Sequence, residues 1–150
     1  ILTDYRIGDL RELDPEEGLV TFSILTYERI WITGGVIMRT IFNTAGEIVC
    51  VVQVDLDGEC GLAVHNKRID DNMKFCVLVF HALATIAKEL NLSTLYSGVH
   101  DNARNIKFIK RAGFKLVDDD PYFVEEGLKT YSLDLTEWET NRDEFSKESS

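Results

Sequence analysis

Apolar positions in this chain change their period part-way along, and the change marks a turn from strands to helix. Residues 36–65, "VIMRTIFNTAGEIVCVVQVDLDGECGLAVH", are β-branched runs split by "NTAGE" and "DLDGE", each holding a glycine suited to a tight turn. Three consecutive antiparallel strands are predicted. Residues 73–90, "MKFCVLVFHALATIAKEL", instead repeat apolar side chains at helical spacing through Phe75, Val79, Leu83, Ile86 and Leu90. That helix is apolar on nearly every side, as expected of an element packed across a sheet and covered elsewhere.

The flanking segments complete the element order. "GDLRELDPEEG" (8–18) predicts an acidic opening helix or loop that Asp9 can cap and Gly18 can stop. "LVTFSILTYERIWIT" (19–33) is rich in β-branched and aromatic residues without a helical face, which predicts one or two strands punctuated by Gly34 and Gly35. After a break at Asn91, "STLYSGVH" (93–100) predicts a short strand. Asp101 or Asn102 can then cap a helix running to Arg111 and ended by Gly113. A hairpin from Phe114 to Leu135 closes a domain of residues 1–135, and the acidic remainder, 136–150, is expected to fray.

Composition narrows the function. A chain of 150 residues, 45% hydrophobic and 28% charged, is expected to form one ordinary domain with one core. Acids outnumber bases 26 to 16, giving a net charge of -10, which argues against nucleic acid and anionic membrane surfaces as partners. The 73–90 segment carries Lys74, Lys88 and Glu89 and reads as a buried helix, not a membrane span. "ILTDYRIGDL" lacks the basic and apolar regions of a signal peptide. Cys50, Cys60 and Cys76 show no CxxC spacing, so they read as buried thiols of a cytoplasmic protein, with no metal centre. No GxSxG, P-loop or GxGxxG occurs.

The order strands, long helix, strand, short helix and hairpin, with "NARNIKFIKRAGFKL" (102–116) after the second strand block, resembles the GCN5-related N-acetyltransferase (GNAT) superfamily over residues 36–134. The resemblance implies an α+β fold of α/β three-layer type. It has a mixed, mostly antiparallel sheet, helices on both faces and a splayed central parallel pair. A strand, helix, strand unit with a right-handed crossover makes that pair the strands ending at His65 and His100. The resemblance also implies acetyl-coenzyme A as cofactor if the protein is active, with Asn102 beside the coenzyme and Phe108, Gly113 and Phe114 docking the short helix.

Departures from the family pattern cluster where the chemistry belongs. The family cradles the coenzyme pyrophosphate on glycine-rich backbone before its long helix, whereas "HNKRIDDNMKFC" (65–76) has no glycine. Asp70 and Asp71 stand near the pyrophosphate position, and like charges about 6 Å apart repel by roughly 3 kcal/mol at an effective dielectric near 20. Lys67, Arg68 and Lys74 read either as a compensating anion clamp or as solvated charges beside aspartates that cap the helix. Where many members carry a tyrosine general acid, the aligned residue is Ile109. Glu59 is a candidate general base or a turn residue, and His65 is a second cleft candidate.

This pattern resembles the degenerate GNAT-like proteins of tailed phages. The expectation is therefore a protein with weak or lost acetyl-CoA-dependent activity that serves protein contacts, as a homo-oligomer or with another protein, in host cytoplasm or virion. The alternative is an active N-acetyltransferase for an amine or a basic peptide.

Overall fold

The computed structural model describes residues 1–13, 21–100, 107, 109–111, 113–117 and 128–136, and divides into two units, Ile1–Leu90 and Asn91–Ser150. In the first unit, β1 (Leu2–Asp4), β2 (Val36–Phe42), β3 (Ile48–Asp55) and β4 (Cys60–Val64) form an antiparallel sheet in that order. The three strands expected over 36–65 are all present. Their two turns are built alike, each opened by a residue whose short side chain folds back on the backbone. Asn43 donates its N–H to the Glu47 carbonyl and accepts the Glu47 N–H on Oδ1, both at 2.9 Å. Asp55 donates its N–H to the Glu59 carbonyl at 2.9 Å and accepts the Glu59 N–H on Oδ1 at 3.0 Å.

Two adjacent residues of β2 show how the unit is layered. The Thr40 hydroxyl donates to Asp9 in α1 (Asp9–Leu13) at 2.8 Å, whereas Arg39 Nη2 reaches both oxygens of Glu89, at 3.1 and 3.0 Å, at the end of α3 (Asn72–Glu89). Successive strand side chains point to opposite faces, so α1 and α3 cover opposite faces of the sheet. On the α1 face, Tyr5, Leu10, Leu13, Val36, Met38 and Val51 form a core, with Tyr27 and Trp31 packed against it. On α3, Phe75, Val79, Leu83 and Ile86 are buried as expected, but Leu90 sits at the helix C-cap and is only half-buried.

The segment expected as strand, 19–33, instead contains a helix, α2 (Thr21–Ile32). Among its described side chains, Tyr27, Glu28 and Trp31 face inward, a helical face that includes a buried acid, while Leu25, Ile30 and Ile32 are exposed. Apolar side chains thus lie outside the packed face and hide the period, and tertiary packing overrides the strand propensity. Gly34 and Gly35 cap this helix. Gly34, at φ 83°, donates to the Trp31 carbonyl and Gly35 to that of Ile30, the paired bonds of a Schellman ending.

Asp9, expected to cap the opening helix, is the first residue of α1, and its carboxylate points back, accepting the Arg6 N–H at 2.9 Å and the Thr40 hydroxyl. Beside it, the Tyr5 hydroxyl donates to buried Glu28 at 2.5 Å, and Glu28 also accepts the Gly8 N–H at 2.9 Å. Burial first, and the Glu28 bond second, push the Tyr5 phenol well above its ordinary value. Trp31 packs edge-on against the Tyr5 ring.

In the second unit, β5 (Thr94–His100), β6 (Lys115–Leu116) and β7 (Leu128–Asp134) form an antiparallel sheet ordered β5-β7-β6. The closing hairpin is present as the β6–β7 pair. Lys107, Ile109, Lys110 and Arg111 are helical, and this helix ends as expected. Gly113, at φ 91°, donates to the Lys110 carbonyl and Phe114 to that of Ile109, with Phe114 buried. Asn102, Phe108, Gly18 and the tail beyond 136 lie outside the described residues.

Every ladder among the described residues is antiparallel, so the parallel pairing expected between the strands ending at His65 and His100 is not formed as a ladder. β5 pairs with β7 from Thr94↔Asp134 to His100↔Leu128, and β4 pairs with β3. The mixed α+β class, mostly antiparallel, stands.

Two substitutions test the layering. Ile86→Ala should destabilise urea unfolding by about 2–5 kcal/mol, because Ile86 is fully buried. Val77→Ala, on the exposed side of the same helix, should stay within about 0.5 kcal/mol. Equal losses would mean that α3 presents another face to the sheet.

Candidate functional site

The connection from β4 to α3 is where the sequence departs most from its expected chemistry, and it is heavily bonded. His65 follows β4, donating its N–H to the Val49 carbonyl at 3.0 Å, and a single 3-10 turn (Asn66–Arg68) leads on. Asp71 then caps α3. Its backbone is extended, at φ -145° and ψ 108°, and Oδ1 accepts the Lys74 N–H at 3.1 Å. One of the amides that a helix N-terminus offers an anion is therefore taken by the chain's own carboxylate.

Asp70 does not cap the helix. Its Oδ2 accepts the Thr44 hydroxyl at 2.6 Å and the Thr44 N–H at 3.0 Å, tying the β2–β3 turn to the connection. Those two bonds, the hydroxyl first, hold the Asp70 carboxyl below its ordinary value near 3.8. Asn43 Nδ2 adds a bond to the Arg68 carbonyl at 3.0 Å. Thr44 and Asn43 carried no signal at the level of sequence beyond turn chemistry; their partners lie about 25 residues on.

The three cations expected as an anion clamp stand in different surroundings. Arg68 Nη1 donates to the carbonyls of Glu12 and Ile48, both at 3.0 Å, and its Nε lies 3.8 Å from Glu47 Oε2. Its guanidinium is thus a strut inside the first unit. Lys67 is exposed on the 3-10 turn. Lys74 is exposed and lines a cleft of about 280 Å³ whose walls include Ile41, Phe42, Val49, Phe75 and Leu78, with Thr44 and Asp70 on its polar side.

Glu59 closes the β3–β4 turn through its backbone, as described above, which keeps its side chain at the head of β4. Beside it, burial pushes the Cys60 thiol up to about 12, with the Glu59 and Asp55 carboxylates adding to the effect. Gln53 was not anticipated. It is the one polar residue in the run Ile48–Val54, and its Oε1 is buried and accepts no hydrogen bond from the described residues.

No protein-family model matches the sequence, and none of the curated proteins does. Solved structures do match. A chimera of the Vibrio cholerae spermidine N-acetyltransferase SpeG with hSSAT superposes at TM-score 0.66 with 16% identity, over 92% of this chain and 98% of that one. A GNAT-family acetyltransferase from Staphylococcus aureus Mu50 gives TM-score 0.66 and 16% identity, over 90% and 98% of the two chains. The fold is that of the GNAT acetyltransferases. A third structure, the dodecameric V. cholerae spermidine N-acetyltransferase, matches at TM-score 0.65 with 14% identity, over 92% and 95%. Within this GNAT fold, the element expected to grip the coenzyme is the bonded connection just described. Among the described residues, no helix is long and apolar enough to cross a membrane.

The Thr44–Asp70 tie makes a pH prediction. A carboxyl with a lowered folded-state pKa contributes its full stability above the ordinary value near 3.8, and that contribution is lost as pH falls through the lower folded value. An NMR titration should find Asp70 ionising below its ordinary value, and Thr44→Val should return it toward that value. No change in the variant would show that the tie is not formed in solution.

Proposed function

We propose that this protein is a GNAT-type N-acyltransferase for amines that grips acetyl-coenzyme A weakly. The fold, matched over nine-tenths of the chain, supports the reaction class, and the acceptor class follows from charge. A net charge of -10 attracts polyamines or basic peptides, and matching solved structures are spermidine N-acetyltransferases. The observation that carries the weak grip is Asp71, whose carboxylate already holds the Lys74 N–H at the start of α3. A pyrophosphate arriving there must displace a bonded carboxylate and meet its charge, and Arg68 is already committed to the Glu12 and Ile48 carbonyls.

In such a reaction the amine nitrogen forms a bond to the acyl carbon as the thioester C–S bond breaks. The amine must first lose a proton, and Glu59, at the head of β4, is the proposed base. The thiolate takes its proton from water, because Ile109 stands where a phenol would donate one. Loss of that acid costs about 10²- to 10⁴-fold in rate, which slows transfer without abolishing it. Like the dodecameric neighbour, the chain is proposed to self-associate, and it is placed in the cytoplasm.

The capped α3 favours a second reading, a protein-contact role without catalysis, of the kind known among tailed-phage GNAT-like proteins.

Calorimetry at low salt should give a millimolar Kd for acetyl-coenzyme A, and Asp71→Gly should tighten it by freeing the Lys74 N–H. Micromolar binding by the unaltered chain would overturn the weak-grip proposal. Mass spectrometry at millimolar acetyl-coenzyme A should detect acetylated spermidine or acetylated basic peptide. No product from either would leave the protein-contact reading.

A further inference from the structure

The cleft between the β2–β3 turn and the first two turns of α3 has no part in the acyl-transfer reading, and its lining is of two kinds. Ile41, Val49 and Phe75 are buried where they line it, and Phe42 and Leu78 are half-buried. Asp70 and Lys74 are exposed and so stand at its mouth. Lys74 and Leu78, four residues apart, share one face of α3, which sets a cation beside the apolar surface. Thr44, also in the lining, holds the Asp70 carboxylate through its hydroxyl and its N–H. A carboxylate has roughly four acceptor sites, more than Thr44 can fill. The strand residues of the lining come from β2 and β3 and none from β4, so the cleft lies away from the β4 edge of the sheet.

Opposite charges at the mouth of one cleft would ordinarily pair. Among the described residues, Asp70 and Lys74 form no ion pair, either with each other or elsewhere. Both charges therefore face whatever enters. A ligand carrying only an anion would meet Asp70, and one carrying only a cation would meet Lys74. A zwitterion pairs with both and adds no net charge to a chain already at -10. The volume, about 280 Å³, falls at the small end of ligand pockets, which run from roughly 300 Å³, and suits one apolar side chain. We propose that this cleft binds a free apolar α-amino acid, its carboxylate at Lys74, its ammonium at Asp70 and its side chain against Phe42, Phe75 and Leu78. The inference does not rest on the acyltransferase reading.

L-leucine, titrated into the full chain without acetyl-coenzyme A and followed by NMR, is the probe. It should give saturable shifts at Thr44, Lys74 and Leu78. Two analogues each lack one charge, 4-methylpentanoate the ammonium and 3-methylbutylamine the carboxylate, and both should bind several-fold more weakly. Glycine, without the apolar side chain, should give no saturable shift. Lys74→Met keeps most of the side-chain stem and removes the charge, so it should weaken leucine binding several-fold at an unchanged unfolding temperature. The analogues make the same test in the unaltered protein should that variant fold poorly. Absence of saturable shifts with leucine, shifts confined to other residues, or unchanged affinity in Lys74→Met would overturn the proposal. Binding of either analogue as tightly as leucine would overturn it too, giving the cleft to a simple carboxylate or a simple amine.

Discussion

Burial of β3 on both faces is the constraint from which the first unit follows. Its residues from Ile48 to Val52 are almost entirely removed from water, and a strand with two apolar faces needs a layer on each side. α1 supplies Leu10 and Leu13 to one face, and α3 supplies the other. The polar bonds then fix how the layers are set. Thr40 to Asp9 and Arg39 to Glu89 fasten neighbouring residues of β2 to helices on opposite sides. Tyr5, Glu28 and Asp9 cross-tie the turn that leads into α1, which gives two buried acids enough donors to remain inside.

At the start of α3, the same free N–H groups can serve either the chain or a ligand. Here the chain takes a share: Asp71 caps the helix, Asp70 locks onto Thr44, and Arg68 braces the Glu12 and Ile48 carbonyls. Each bond stabilises the connection without a bound anion. An anion arriving there has to replace a cap that contributes about 1 kcal/mol and meets carboxylate charge as well.

By itself the sequence determined the hairpins, α3, the endings at Gly113 and the resemblance to the GNAT fold, because each depends on residues close together in the chain. Turn residues in "NTAGE" and "DLDGE" act within five positions, and the period of Phe75, Val79, Leu83 and Ile86 belongs to one helix. α2 was hidden because Leu25, Ile30 and Ile32 are exposed apolar residues outside its packed face, although the Gly34–Gly35 ending was a signal for a helix. In the candidate site, the missing glycines and the doublet Asp70–Asp71 were legible, but their separate roles were not. Only the tertiary structure decided that Asp71 caps α3 while Asp70 holds a turn 26 residues away, that Arg68 braces the Glu12 and Ile48 carbonyls, and that Gln53 lies over Gly61. These are choices between partners distant in sequence, and a side chain's partner is set by which backbone the fold brings within hydrogen-bond reach.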